Sequence, residues 1–332
     1  MCTSPNYMMF RGTHINEDMD VVPTYEFCGH HQYEKLMTSG VPFIQVPCGK
    51  CLECRIQQVR TWSDRCVLEA KNSPYNYFVT LTYDDDHLPY KKSLNPDHLT
   101  QFINLLRKHF KRKLKFEGKI RFFASGEYGT GGDRIMNPHY HLILFNCPIP
   151  DLSDEFWLEQ DGLLTKHLRP QCKCDGVKHS MLIYDLWQRR GMISVEPFDY
   201  DAASYVTQYV TKKIHQDYSK QFEELHIVPE FLRMSNGIGR NAFDDNNFIH
   251  DNGKMVIAKS GLAHKSSVPR YFDKLFIKKY GRGIFEGTIG SRRFVKRIQN
   301  VGTNLNKGVK YDRQCEIRAH NIEAQHRFKK GL

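Results

Sequence analysis

One long amphipathic segment, framed by apolar β-rich stretches, constrains this chain more than any other feature. NPDHLTQFINLLRKHFKRKLKF opens with Asn95 as N-cap, Pro96 at the first helical position and Asp97 in the first turn. Leu99, Phe102, Ile103, Leu106, Phe110 and Leu114 recur at helical spacing and form one stripe that needs a partner surface. Arg107, Lys108, Lys111, Arg112, Lys113 and Lys115 crowd the other faces and the C-terminal end, so the helix has a basic outer surface. YFVTLTY (77–83) before it reads as a strand. KIRFFASGE (119–127) and HYHLILF (139–145) after it read as two strands of a hairpin joined by the glycine-rich YGTGGDRIMNP. IYDLWQRR then reads as a short helix closed by Gly191, MISVEPF (192–198) as a fourth strand, and DAASYVTQYVTKKI (201–214) as a further helix.

The succession β-α-β-β-α-β plus a helix predicts an α+β class fold. The expected form is a ferredoxin-like, RRM-like antiparallel sheet with helices packed on one face. Residues 1–73 form a cysteine-containing N-terminal segment with little periodicity, 74–220 the central domain, and 221–332 a basic C-terminal region. Residues 147–180 read as an irregular insertion. No run of eighteen apolar residues exists in the 332, so no membrane partner is expected. MCTSPNYMMFRG lacks a charged and then apolar leader pattern, so no secretory signal is expected. The ten cysteines are then expected as thiols in a reducing cytoplasm, with some of them available to metal.

Charge is unevenly placed within the net +11. From Lys254 onward there are 19 Lys/Arg against 5 Asp/Glu, with Tyr271, Phe272, Phe285 and Phe294 among them. Interleaved cations and aromatics suit a nucleic acid, through phosphate pairing and base stacking; the alternative is a solvated tail. Lys108, Lys111 and Arg112 on the amphipathic helix, with Arg292 and Arg293 in the basic region, are the candidate DNA contacts. No G-x-x-x-x-G-K-[ST] is present, so no ATP-driven helicase is built in and unwinding would come from outside.

NPHYHLILF places His139 and His141 on one side of a strand and Tyr140 on the other. Glu127 ends the preceding strand across the hairpin. Two imidazoles and one carboxylate leave coordination positions open, which suits a divalent ion that polarises a phosphate. Tyr205 and Tyr209, four apart on a helix, project together, and Lys212 and Lys213 follow within reach of a local anion. Alone, a tyrosine pair at this spacing reads as a packing stripe. Cys48, Cys51 and Cys54 have C-x-x-C-x-x-C spacing; as a structural zinc site they need a fourth ligand, for which Cys28, Cys66, Cys172 and Cys174 are candidates. Otherwise they are structural thiols.

HxH on a strand, a carboxylate on its neighbour and a Tyr-x-x-x-Tyr helix after a βαββαβ core together resemble the HUH endonucleases of rolling-circle replication. FVTLTY, GEYG, NPHYHLILF, YVTQYVTKK, GKCLECR and VPRYFDK extend the resemblance from about Pro47 to Lys274. That set is similar to the replication initiation proteins of the Microviridae, small single-stranded DNA phages, in their gokushovirus branch. The resemblance implies that His139, His141 and Glu127 hold Mg²⁺ or Mn²⁺ against the scissile phosphate. It implies that Tyr205 or Tyr209 attacks, giving a 5′-phosphotyrosyl link and a 3′-hydroxyl primer, with Lys212 or Lys213 stabilising phenolate or phosphate. The implied partners are single-stranded origin DNA and the host replication machinery with its helicase, in the bacterial host cytoplasm. Two other readings stand beside it: a plasmid initiator or transposase of the same superfamily, and a non-enzymatic zinc-containing nucleic-acid-binding protein.

Overall fold

Strands that are apolar on both faces dictate a sheet covered on both sides. The computed structural model describes residues 2, 5–17, 19, 21–38, 40–41, 43–129, 137–153, 155–160, 163–168, 177–208, 222–243, 254–259 and 262–285. In chain order come β1 (Asn6–Ile15), β2 (Val21–Cys28), α1 (Tyr33–Thr38), β3 (Phe43–Val46), α2 (Leu52–Ala70), β4 (Tyr77–Leu81) and α3 (Pro96–Arg112). Then follow β5 (Arg121–Tyr128), β6 (Pro138–Phe145), β7 (Leu152–Ser153), β8 (Glu155–Gln160), β9 (Leu163–Leu168) and β10 (His179–Ser180). After them come α4 (Met181–Leu186), β11 (Ile193–Pro197), α5 (Tyr200–Thr207) and β12 (Phe231–Met234).

Two units are distinguishable. The first holds the described residues up to Gln58, with 254–255 and those from Ser267 on. In it β2, β1 and β3 make a three-stranded antiparallel sheet in that order, around Tyr7, Cys28 and Leu36. The second unit, from Val59 to the end of the 222–243 stretch with Val256–Ser266, carries a five-stranded antiparallel sheet in the order β11-β4-β6-β5-β12. Its fifth strand, β12, lies beyond residue 220 and pairs Phe231 with Gly126. Residues 155–168, expected to be irregular, include the paired strands β8 and β9. No described helix is long and apolar enough to cross a membrane.

α3 forms where its capping predicts. Asn95 accepts a hydrogen bond from the Asp97 backbone N–H at 3.0 Å, and Pro96 occupies the first turn, where no amide donor is needed. Leu99, Phe102, Ile103, Leu106 and Phe110 bury against Val79, Leu81, Leu142 and Leu144 of the sheet. Each large apolar side chain so buried contributes about 1.5–3 kcal/mol. Leu114 falls after the helix and is exposed.

The expectation of helices on one face is corrected. α3 and α4 cover the face of Val79, Leu142 and Leu144, while α5 and the part of α2 around Cys66 cover Phe78, Phe123, Ile143 and Phe145. The reason lies in β6 itself: in HLILF both alternating sets are apolar, and neither tolerates water. Gly191 also differs from its expected role. α4 ends at Leu186, and Gly191, at φ +155°, lies so close to β4's extension that a Cβ would sit 2.5–2.6 Å from backbone atoms of Thr82, Tyr83 and Asp84.

Two substitutions test this packing by urea titration. Gly191→Ala is expected to destabilise by about 2 kcal/mol or more, because only backbone could yield to the new methyl. Phe102→Ala is expected to cost about 3–5 kcal/mol through the cavity it leaves.

Candidate active site

β-sheet register assembles the site. Glu127 on β5 pairs directly with His139 on β6, and His141 lies between Ser125 of β5 and Thr80 of β4. Alternation then sends Ser125, Glu127, His139, His141, Thr80 and Phe78 to the α5 side of the sheet. Tyr140 goes the other way and is fully buried. Its hydroxyl donates to the Asn95 carbonyl and accepts from the Asn95 N–H, both at 2.9 Å, and lies 3.1 Å from the Tyr83 hydroxyl. The residue between the histidines thus ties their strand to the N-cap of α3.

Glu127 is only 2% exposed, a costly position for a carboxylate without compensation. The Ser125 hydroxyl donates to its Oε1 at 2.9 Å. His139 Nε2 stands 3.7 Å from Oε2 and His141 Nε2 3.9 Å from Oε1. These separations exceed hydrogen bonds but suit joint ligation, since two atoms each ~2.1 Å from one ion lie at most ~4.2 Å apart. The ligand atoms of all three residues fall within 4.8 Å of one another.

Ring orientation agrees with that use. His139 Nδ1 lies 3.2 Å from the Asn137 carbonyl, which only accepts, so Nδ1 carries the proton and Nε2 of the neutral ring keeps its lone pair toward Glu127. His141 Nδ1 is 3.0 Å from the Thr80 hydroxyl, which accepts from Nδ1–H in the same tautomer. Phe78 stacks on the His141 ring at 5.4 Å between centroids and holds its plane. Thr80, Ser125 and Phe78 were not singled out by sequence, although the alternation of FVTLTY already puts Phe78 and Thr80 on one face.

α5 brings the phenol. Asp199 caps it, accepting from the Ala202 N–H at 2.7 Å, while Ala203 and Val206 bury against the sheet. The buried Thr207 hydroxyl meets that of Ser63 at 2.8 Å and fixes the helix against α2. Tyr205, 40% exposed, then extends over the His141 ring: its hydroxyl is 3.5 Å from Nε2, the outer limit of a hydrogen bond, and the rings meet edge to face at 5.1 Å. Burial first, then the Glu127 and Glu230 carboxylates, push the phenol up to about 12. The group keeps its proton at neutral pH yet stays open to solvent on one side.

Tyr209, Lys212, Lys213, Arg292 and Arg293, with Cys172 and Cys174, lie outside the described residues. Lys108, Lys111 and Arg112 are exposed on α3, which covers the sheet face opposite the histidines, so they are not brought to this site. Cys48, Cys51 and Cys54 do come together, and their neighbour is Cys2, which sequence reasoning did not name. Cys28 and Cys66 are corrected as candidate fourth ligands: Cys28 is buried in the β1–β2 core and Cys66 among the side chains between α2 and the sheet.

The model of the replication-associated protein ORF2 family matches residues 76–214. Replication-associated protein ORF2 of Spiroplasma virus 4 is 35% identical over 237 residues, 69% of this chain and 67% of that protein. The chain belongs to this replication-associated protein family. Replication-associated protein VP4 of Bdellovibrio phage phiMH2K is 27% identical over 238 residues, 70% of this chain and 68% of its own. Replication-associated protein ORF4 of Chlamydia phage 1 is 28% identical over 204 residues, 61% of this chain and 46% of its own. No solved structure matches. The phage relatives agree with the Microviridae resemblance of the motifs, and the family match spans Glu127, His139, His141 and Tyr205.

Removing the Thr80 hydroxyl tests the orientation of His141. Thr80→Val keeps the shape, so the fold should stay intact while Mn²⁺ affinity measured by calorimetry falls about 10–100-fold. Unchanged affinity would mean that the Thr80 contact does not orient a ligand.

Proposed function

We propose that this phage replication protein initiates replication by nicking single-stranded origin DNA through a tyrosine and later rejoining the strand. The reading rests above all on one observation: a partly exposed phenol, Tyr205, lies 3.5 Å from an imidazole of a buried two-histidine, one-carboxylate cluster. Glu127, His139 and His141 would hold Mg²⁺ or Mn²⁺. Such an ion, when bound, draws charge from a phosphate oxygen and orients the phosphorus.

The chain's own groups do the rest. His139 and His141 present their Nε2 lone pairs because Asn137 and Thr80 hold the opposite ring nitrogens. Tyr205 attacks the scissile phosphorus: its O–P bond forms, the P–O3′ bond breaks, and the phenolic proton leaves for a base or water. The products are a 5′-phosphotyrosyl protein and a DNA 3′-hydroxyl able to prime synthesis. Phosphoester energy is conserved in the link, so attack by a later 3′-hydroxyl closes the strand without nucleotide hydrolysis. Tyr209, one turn on in the sequence, supplies a second phenol for the next transfer, and Lys212 or Lys213 offsets phenolate or phosphate charge.

In this reading the catalytic domain is the 74–220 region, a ferredoxin-like sheet of split βαβ type. The region 221–332, with Arg292 and Arg293, contributes DNA contacts together with Lys108, Lys111 and Arg112. The protein acts in the bacterial host cytoplasm and relies on a host helicase for unwinding.

Incubation with single-stranded origin DNA and Mn²⁺ should give a protein–DNA adduct that survives denaturing electrophoresis. Tyr205→Phe with Tyr209→Phe should abolish it. His139→Ala with His141→Ala should lower cleavage at least about 10³-fold yet keep salt-sensitive DNA binding. Full cleavage by the double phenylalanine protein would rule the mechanism out. DNA binding by the wild-type protein with no adduct on any origin strand would favour a non-enzymatic binding protein.

A further inference from the structure

A second cluster of ligating side chains stands outside the segment that the family match covers. The Sγ atoms of Cys2, Cys48, Cys51 and Cys54 all lie within 4.8 Å of one another. Cys48 and Cys54 are 3.9 Å apart at sulfur, and Cys51 and Cys2 3.7 Å. A disulfide needs ~2.05 Å, so these are not bonded pairs. Four sulfurs at ~2.3 Å from one tetrahedral ion stand ~3.8 Å from each other. We infer that these four thiolates form a structural zinc site, with Cys2 as the fourth ligand.

Backbone geometry supports it independently. The N–H groups of Lys50 and Cys51 both point at Cys48 Sγ, at 3.4 and 3.3 Å, and the Cys48 N–H points at Cys2 Sγ at 3.3 Å. Amides converging on sulfur stabilise thiolate over thiol. The turn that aims them needs Gly49, whose φ is +73°. Cys51 immediately precedes α2 and Cys54 lies in its first turn, where the helix's positive end favours anionic sulfur. Arg55 donates from Nε to the Lys50 carbonyl at 2.8 Å and keeps a cation beside a site of net negative charge.

Register explains why Cys2 belongs. β1 and β3 pair antiparallel with Asn6 opposite Val46, so the chain before Asn6 runs alongside the chain after Val46. Continuing that pairing brings Cys2 to Cys48, far apart in sequence but adjacent across the sheet's end. Zinc here closes the 2–54 loop and staples the three-stranded sheet to the start of α2. It has no open position for substrate, which suits a structural ion.

The test is metal content and cobalt spectroscopy on the full-length protein. Purified wild-type protein should carry about one zinc per chain by mass spectrometry. Replacing that zinc with Co²⁺ should give intense visible d–d bands and a thiolate-to-cobalt charge-transfer band of a tetrahedral four-sulfur site. Cys2→Ser should weaken zinc affinity at least about tenfold and shift the cobalt bands to a three-sulfur pattern, whereas Cys66→Ala should leave them unchanged. If Cys2→Ser does not fold, the wild-type cobalt spectrum alone decides, by counting thiolates. Absence of bound zinc, iron retained in its place, or a Cys2→Ser spectrum identical to wild type would overturn the inference. Adduct formation is not the readout, so the result stands or falls separately from the nicking mechanism.

Discussion

The paired hydrogen bonds between the Tyr140 hydroxyl and the Asn95 backbone, both 2.9 Å, set the frame for everything on the far side of the sheet. They join β6 to the capped end of α3 and so fix the strand's register from its buried face. In a strand, a slip of one residue reverses every side chain, and here it would turn His139 and His141 into the core and Tyr140 into the site. The apolar stripe of α3 and the ring contacts among Tyr140, Tyr83 and Trp187 hold the same register. Catalytic geometry on one face therefore depends on core packing on the other.

On that far face, electrostatics separates the roles. Glu127 is buried, hydrogen-bonded by Ser125 and flanked by imidazoles whose opposite nitrogens are held by Asn137 and Thr80. Such a carboxylate has little freedom to do anything except bind a cation presented to it. Tyr205 stays partly in solvent, and burial together with the two carboxylates holds its proton on. A phenol of this kind is inert until positive charge reaches the site, a useful property in an enzyme that must not cut DNA without its metal.

Much of this was legible in the residues, for identifiable reasons. Asn95-Pro96 and the helical stripe marked α3, and the HxH spacing with Glu127 across a hairpin marked the cluster, because both depend on local periodicity. Helices on both faces were also written in HLILF, a continuous apolar run that leaves no face for water, but the order of elements suggested one layer. Gly191 looked like a helix cap; its role is a close approach to backbone remote in sequence, which only the fold reveals. Cys2 escaped for the same reason, since the pairing of β1 with β3 brings it to Cys48. Thr80 and Phe78 were hidden because a strand's face acquires meaning only once its neighbour's register is known.

The central claim is that Tyr205 is the nucleophile served by the Glu127, His139 and His141 cluster. The most direct measurement is peptide mass spectrometry of the Tyr209→Phe protein after reaction with single-stranded origin DNA, Mn²⁺ and nuclease trimming. The account predicts a 5′-phosphonucleotide on Tyr205. A modified residue anywhere other than Tyr205, or no modified residue on DNA that the protein has cut, would contradict it.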